Sequence, residues 1–288
     1  MVGGMARQSW PQKLRRLAAV AVLAAGVPYG AAAQQAPAAP PAAPPAATEE
    51  PKPENALPPI SRDCQVGTAQ VVSQTPLPNV ERALRERQRI IILVIGGSPV
   101  ARRDSAAGKY YELVEKFLED TFKGLDVSIV HRGVSGELVR DAAERIKMEV
   151  ALSTPDLVLW QVGTADALAR MSTDGFEETL TEALVWLRGH GVDVALIGLH
   201  YIKALTKDEH YQAIRASLKR VSTALGIMRI GRYEAAEIIT RLSSERGKPL
   251  TGTRLTEAAY ECSAEYLSRA IASGLFLKKP PKPPLTKQ

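Results

Sequence analysis

The sequence has few of the residues that build metal sites, since its 288 residues include only two cysteines and four histidines. No cluster of histidine, cysteine and carboxylate residues has the spacing of metal ligands, so we expect no metal. The phosphate-binding P-loop pattern is absent. A Rossmann dinucleotide site is disfavoured, because Gly96-Gly97-Ser98-Pro99 lacks the third glycine and no ribose-binding acid is placed after a second strand. We therefore expect no cofactor.

Long hydrophobic runs are also scarce. The apolar stretch from Leu17 to Val27 is too short to span a bilayer comfortably, and no second long run follows. Basic residues precede this stretch and the small residues Ala31-Ala32-Ala33 follow it, which is typical of a secretory signal over residues 1–33. The sequence thus predicts an exported protein, periplasmic or extracellular, whose mature chain has no transmembrane segment.

The excess of positive charge lies mostly outside the predicted folded body. Removing the four basic residues of the signal from the formal net charge of +6 leaves +2, and four further lysines lie after residue 277. The body itself is close to neutral, so the high isoelectric point is no evidence for nucleic-acid binding. We expect no nucleic-acid partner.

Composition divides the rest of the chain into three parts. Residues 34–58 are rich in proline and alanine and predict a disordered linker, and residues 278–288 predict a basic, proline-rich tail. Residues 59–277 are enough for one domain. Cys64 and Cys262 lie near the two ends of this domain, and export implies an oxidising compartment, so we predict a disulfide. The alternative is two buried free thiols.

Apolar runs and amphipathic segments alternate after residue 80. The runs that predict strands are Ile90–Ile95, Asp126–Val130, Leu157–Gln161, Val194–Gly198 and Ile227–Ile230. The segments between them repeat apolar residues at helical spacing. Such alternation predicts an α/β fold, a three-layer α/β/α sandwich of the flavodoxin-like kind around a mainly five-stranded parallel sheet.

Small and polar residues follow three of the predicted strands and precede the last helix. They form Gly96-Gly97-Ser98, the run from His131 to Gly136, Gly163-Thr164-Ala165-Asp166, and the run from Leu250 to Glu257. The carboxyl ends of parallel strands meet at the edge of a sheet where ligands bind. Glycines there allow backbone N–H groups to point into a pocket and stabilise an oxyanion.

At these four segments the chain resembles the SGNH/GDSL hydrolase superfamily, from about Arg89 to Ile271. Those enzymes have a Gly-Asp-Ser nucleophile turn, a glycine after strand two, a Gly-x-Asn-Asp turn, and an Asp-x-x-His pair before the final helix. The resemblance assigns Ser98 as the candidate nucleophile and places Gly133, Gly163, Ala165 and Asp166 around the oxyanion pocket. It implies the SGNH hydrolase fold and hydrolysis of ester bonds.

The catalytic positions depart from that pattern. Gly97 replaces the aspartate before the serine, Ala165 replaces the asparagine, and Thr251 and Arg254 replace the Asp-x-x-His pair. An arginine stays protonated and cannot act as a base, and an alanine side chain donates no hydrogen bond. The sequence therefore predicts a degenerate, catalytically impaired member, a pseudoenzyme that acts as a binding module. The resemblance, together with the predicted export, implies cell-envelope glycans or acylated molecules as its ligands.

An active enzyme is the alternative. Ser98 would then be the nucleophile of a serine esterase and His200, just beyond the fourth predicted strand, a substitute base. His131 is a second candidate base. We favour a simpler interpretation of both histidines, as loop or core-edge residues held by backbone groups. Arg254 in turn could bind an anionic group beside Arg132, or be a solvent-exposed charge.

Overall fold

The structure is a computed structural model, and it describes residues 57–58, 60–65, 71–101 and 106–275. The predicted signal sequence, the basic tail and all but the last two residues of the predicted linker lie outside these residues. In the part of the chain that is described, no helix has both the length and the apolar character needed to cross a membrane.

A six-stranded sheet forms the centre of the domain. The strands are β1 (Val72–Ser73), β2 (Arg89–Gly96), β3 (Asp126–Gly133), β4 (Leu157–Gln161), β5 (Asp193–Ile197) and β6 (Met228–Ile230). They lie in the order β1-β6-β5-β4-β2-β3, and all neighbours are parallel except β1, which pairs antiparallel with β6. The five predicted parallel strands are confirmed. The two-residue strand β1 is too short to show a periodic pattern in the sequence.

Helices cover both faces of this sheet. They are α1 (Pro78–Arg87), α2 (Ser98–Ala101), α3 (Ala106–Thr121), α4 (Val139–Ser153), α5 (Thr164–Leu168), α6 (Thr173–Gly189), α7 (Glu209–Leu225), α8 (Arg232–Glu245) and α9 (Gly252–Gly274). Helices α1, α3, α8 and α9 pack in one hydrophobic core, and α4, α6 and α7 in the other. The predicted three-layer α/β/α sandwich is therefore confirmed.

Strand β2 shows why the sheet is buried on both sides. Ile90, Ile92 and Val94 join the first core, while Leu93 and Ile95 join the second. Because alternate side chains of a strand point to opposite faces, a continuous apolar run is the expected sequence of a strand covered by two layers of helices.

Two helices begin at carboxylates that are distant in sequence. Asp193 accepts hydrogen bonds from the N–H groups of Asn79 at 2.8 Å and Val80 at 3.0 Å, at the start of α1. Asp166 accepts one from the N–H of Val139 at 2.7 Å, at the start of α4. A carboxylate is favourable there because the first N–H groups of a helix have no partner within the helix.

The predicted disulfide between Cys64 and Cys262 is present in the structure, with its two Cα atoms 5.2 Å apart. It joins the short 3-10 turn Arg62–Cys64 to α9. Around it, the Tyr266 hydroxyl donates to the Cys64 carbonyl, and the Ser61 N–H donates to a Glu265 carboxylate oxygen at 2.8 Å. The N-terminal segment is thus fixed to the last helix by both covalent and polar contacts.

Candidate functional site

A cavity of about 580 Å³ opens at the carboxyl ends of the parallel strands. The turns after β2, β4, β5 and β6 contribute to it, together with the start of α4 and one residue of α9. The residues that matter for its chemistry are Ser98, Gln161, Ala165, His200, Arg232 and Tyr260. This is the edge of the sheet at which the sequence predicts a site.

Ser98 is the first residue of α2 and lines the cavity. Its side chain is exposed, and its hydroxyl is hydrogen-bonded to none of the described residues. The turn before it requires a glycine at position 96, because a Cβ there would lie 2.8 Å from the Cβ of Gln161 and 2.8 Å from Cγ2 of Val100. Ser98 is therefore fixed by its backbone rather than by any contact of its hydroxyl.

The predicted pocket glycines have different roles. Gly163 lines the cavity with φ of +99°, and a Cβ there would lie 2.6 Å from Cδ1 of Leu199. Gly133 does not line the cavity. It lies against α2, where an added Cβ would be 2.1 Å from the Ala101 nitrogen and 2.5 Å from the Val100 carbonyl carbon. Gly133 thus supports the short helix that carries Ser98.

The residues of the predicted Gly163-Thr164-Ala165-Asp166 turn also have different roles. Ala165 lines the cavity, but its methyl group offers no hydrogen-bond donor. Asp166 is buried and bonds to the start of α4 instead of facing the cavity. Burial raises the pKa of the Asp166 carboxyl, and hydrogen bonds from backbone N–H groups, including those of Val139 and Gly163, offset part of this rise. Its role in the structure is to join α5 to α4.

His200 lies three residues beyond the end of β5 and lines the same cavity as Ser98. Its backbone N–H donates to the Thr164 hydroxyl at 2.9 Å, and the Tyr211 hydroxyl donates to its carbonyl at 2.5 Å. Its ring is stacked 6.5 Å from that of Tyr260. Burial, and to a smaller degree the charge of Arg232, lower the pKa of His200 to about 4. The imidazole is therefore neutral at neutral pH and can accept a proton.

Substituting His200 is expected to change how stability depends on pH. The unfolded chain binds a proton at this histidine below pH 6.5, whereas the folded protein does so only near pH 4. The unfolded state therefore binds more protons in this window, and stability falls as the pH drops through it, by up to about 3 kcal/mol. Urea unfolding of His200→Gln should show a shallower loss between pH 6.5 and 4 than wild type.

A suitable control for this comparison is His190→Gln, because the His190 side chain is exposed and stacks on Trp186 outside the cavity. Parallel pH curves for wild type and His200→Gln would contradict the low pKa of His200.

The remaining predicted residues do not line the cavity. Thr251 and Arg254 are exposed at the start of α9, and Arg254 belongs to its first turn. His131 lies in β3, where its ring packs edge-to-face against Tyr111 at 5.5 Å. Arg132 binds Glu149 with a distance of 2.7 Å. Thr251 and Arg254, which replace the Asp-x-x-His pair, thus lie outside the cavity.

Arg232 and Tyr260 occupy the side of the cavity next to His200, and sequence reasoning missed both. Arg232 follows β6 by two residues, so its position after a strand was the available signal. Tyr260 lies within α9 at a position that has the pattern of an ordinary core residue. The Arg232 Nη1 group donates to the Tyr260 hydroxyl at 3.4 Å. Among the described residues, no carboxylate forms an ion pair with Arg232.

A second arginine contact involves another lining residue of the cavity. Glu137 lines the cavity and accepts two hydrogen bonds from Arg145, each at 2.6 Å. This bidentate pair neutralises the glutamate and fixes its orientation, so it is poorly placed to orient an imidazole. In the described part of the chain, no carboxylate bonds to the His200 ring. The same residues contain no group of three or more metal-ligating side chains that could hold an ion.

Comparison with known proteins agrees with this geometry. The model of the non-GDSL lipase-like family matches residues 63–276. No curated protein sequence matches the chain. Among solved structures, a two-domain esterase active on acetylated mannans has a TM-score of 0.58 at 17% identity, with 77% of this chain and 61% of that chain covered.

Two further structures show the same fold over nearly their whole length. A lipase/acylhydrolase from Enterococcus faecalis has a TM-score of 0.51 at 21% identity, covering 64% of this chain and 96% of that chain. An α/β hydrolase from the metagenome of Lake Arreo has a TM-score of 0.52 at 19% identity, covering 64% and 96%. At sequence identities this low, the similarity to these solved structures shows a shared fold and nothing more specific.

Proposed function

Because the chain belongs to the non-GDSL lipase-like family, we propose that it is an exported protein with an esterase fold that binds glycans or acylated molecules of the cell envelope and turns them over slowly or not at all. The proposal rests on the hydroxyl of Ser98, which is bonded to none of the described residues. A serine hydroxyl is a weak nucleophile until a base removes its proton. The cavity that contains it is nevertheless of the size that small ligands occupy.

The replaced family positions support the same conclusion. Arg254 and Thr251 are exposed and outside the cavity, so neither activates Ser98 nor orients a histidine. Ala165 supplies no side-chain donor to an oxyanion at the position of the family's asparagine. Loss of triad members lowers turnover in serine hydrolases by about 10⁴- to 10⁶-fold. We therefore expect ligand binding to persist where catalysis has declined.

The class of ligand is proposed from export and from the fold. The structural neighbour with the highest TM-score quoted above acts on acetylated mannans, and others of the fold are lipases or acylhydrolases. An exported protein encounters glycans and acylated molecules of the envelope. A cavity with largely apolar walls and a few polar groups suits an acyl group attached to a polar carrier.

The expected result with an activated ester is turnover close to background. Purified protein should hydrolyse p-nitrophenyl acetate no faster than its Ser98→Ala variant, and a fluorophosphonate probe should not label it. Labelling requires an activated hydroxyl, so mass spectrometry of the treated protein is a direct measurement. Stoichiometric labelling at Ser98 would contradict the proposal that catalysis is impaired.

An active serine esterase is the second candidate, favoured by the presence of Ser98 and the neutral imidazole of His200 in one cavity. In that reaction the Ser98 oxygen attacks the ester carbonyl while His200 takes its proton. His200 then returns the proton to the departing alcohol, and water releases the acyl group from Ser98. Labelling that is lost in both Ser98→Ala and His200→Gln would assign the protein to this class.

A further inference from the structure

The guanidinium of Arg232 is the most unusual charge in the described part of the molecule. Its residue is 4% exposed, and no described carboxylate pairs with it. Burying a charge is unfavourable unless an opposite charge or several acceptors compensate. The nearby arginines follow that rule, since both Arg215 and Arg229 contact Glu234, at 3.2 and 3.7 Å. Of these three arginines, Arg232 alone has no carboxylate partner within the described ranges.

Two residues that line the cavity have buried donor groups without acceptors. The Nε group of Arg232 and the amide nitrogen of Gln161 are both buried and have no hydrogen-bond partner in the described part of the chain. Both residues line the cavity and both are more than nine-tenths buried. Among the described residues, the Arg232 guanidinium forms one hydrogen bond, in which it donates to the Tyr260 hydroxyl. Buried donors are satisfied in nearly all folded proteins, so these two lining residues lack acceptor oxygens that a ligand can supply.

The charge balance of the cavity selects the type of acceptor. Arg232 is the sole arginine or lysine among the described lining residues. Glu137 adds a negative charge that Arg145 neutralises. His200 is uncharged at neutral pH. One uncompensated positive charge therefore favours a ligand with a single negative charge, a carboxylate, over a dianionic phosphate.

We propose that Arg232 binds the carboxylate of a monoanionic ligand, whose uncharged part lies along the apolar wall formed by Leu138, Val139 and Leu168. The inference rests on the proposed function, because it assumes that the cavity holds a ligand, and it defines the chemical class of that ligand. Arginine matches a carboxylate through two parallel N–H···O bonds. The Tyr260 hydroxyl lies beside the guanidinium and orients it.

Binding of matched charged and neutral probes tests this assignment. We use hexanoate with hexanamide, and N-acetylmuramic acid with N-acetylglucosamine, in ligand-observed NMR titrations of the purified protein near pH 7. In at least one pair the carboxylate should bind about tenfold more tightly or better, as expected for a hydrogen-bonded charge. In Arg232→Gln this preference should disappear, and in Arg232→Lys it should be partly kept.

The control is Arg140→Gln, an exposed arginine that does not line the cavity, which should keep the wild-type preference. Should Arg232→Gln fail to fold, the wild-type comparison within each pair still decides. Binding without a carboxylate preference in both pairs would overturn the role of Arg232 while leaving the proposed function intact. Absence of binding by all four probes would count against both, and displacement of hexanoate by inorganic phosphate at lower concentration than by acetate would overturn the carboxylate assignment.

Discussion

Removal of the disulfide by Cys64→Ser together with Cys262→Ser is expected to lower the free energy of unfolding by about 5 kcal/mol. The two cysteines are 198 residues apart, so the bond closes a very long loop and removes much of the conformational freedom of the unfolded chain. Thermal unfolding of the double variant, or of wild type with reductant, should begin roughly 15 °C earlier.

Tyr266→Phe is the matched control for this effect. It removes the hydrogen bond to the Cys64 carbonyl but leaves the disulfide in place, so the expected loss is only about 1 kcal/mol. Neither cysteine lines the cavity, and probe binding at low temperature should survive in the double variant. An identical unfolding curve with and without reductant would mean that the two thiols are not joined in the purified protein.

Gly133→Ala is expected to have the second largest effect, a loss of about 3 kcal/mol that corresponds to a drop in Tm of roughly 10 °C. The added methyl group would collide with backbone atoms of Ala101 and Val100, which cannot rotate away as a flexible side chain can. Strand β3 or helix α2 must shift. Since α2 begins at Ser98, the shift should also weaken binding of any ligand in the cavity.

Two alanine substitutions control for the loss of a glycine in itself. A Cβ at Gly97 would have only the Val134 carbonyl oxygen nearby, at 3.9 Å, and a Cβ at Gly189 would have no neighbour within 4 Å among the described residues. Both variants should unfold within about 1 kcal/mol of wild type. If Gly133→Ala were as stable as the two control variants, α2 would not pack as closely against β3 as the structure shows.

The architecture was predictable because its signals are local. Leu157–Gln161 was predicted with the bounds that the structure has, since a buried central strand has apolar residues at nearly every position. Ser98, Gly163, Ala165 and His200 follow strands, and the geometry of a parallel sheet brings such residues to one edge. That argument alone places four of the lining residues correctly.

The rest of the cavity depends on contacts between distant segments, which no local pattern records. Tyr260 reaches it from the ninth residue of α9, where an aromatic side chain resembles any buried position. Asp166 was grouped with the oxyanion pocket because of its neighbours in sequence, yet its carboxylate bonds to Val139, 27 residues away. For Arg254 the sequence leaves open an anion-binding residue and a solvent-exposed charge, and the structure places it exposed and outside the cavity.

The antiparallel strand β1 has a consequence for how the molecule is assembled. Val72 and Ser73 pair with Ile230 and Arg229, so the first described strand lies beside the last described strand. During synthesis β1 has no partner until about 150 further residues have emerged, since Ser73 and Arg229 are 156 positions apart. Contacts that span most of a domain form slowly, and a ribosome-bound fragment ending before β6 therefore keeps one margin of its sheet open to other chains.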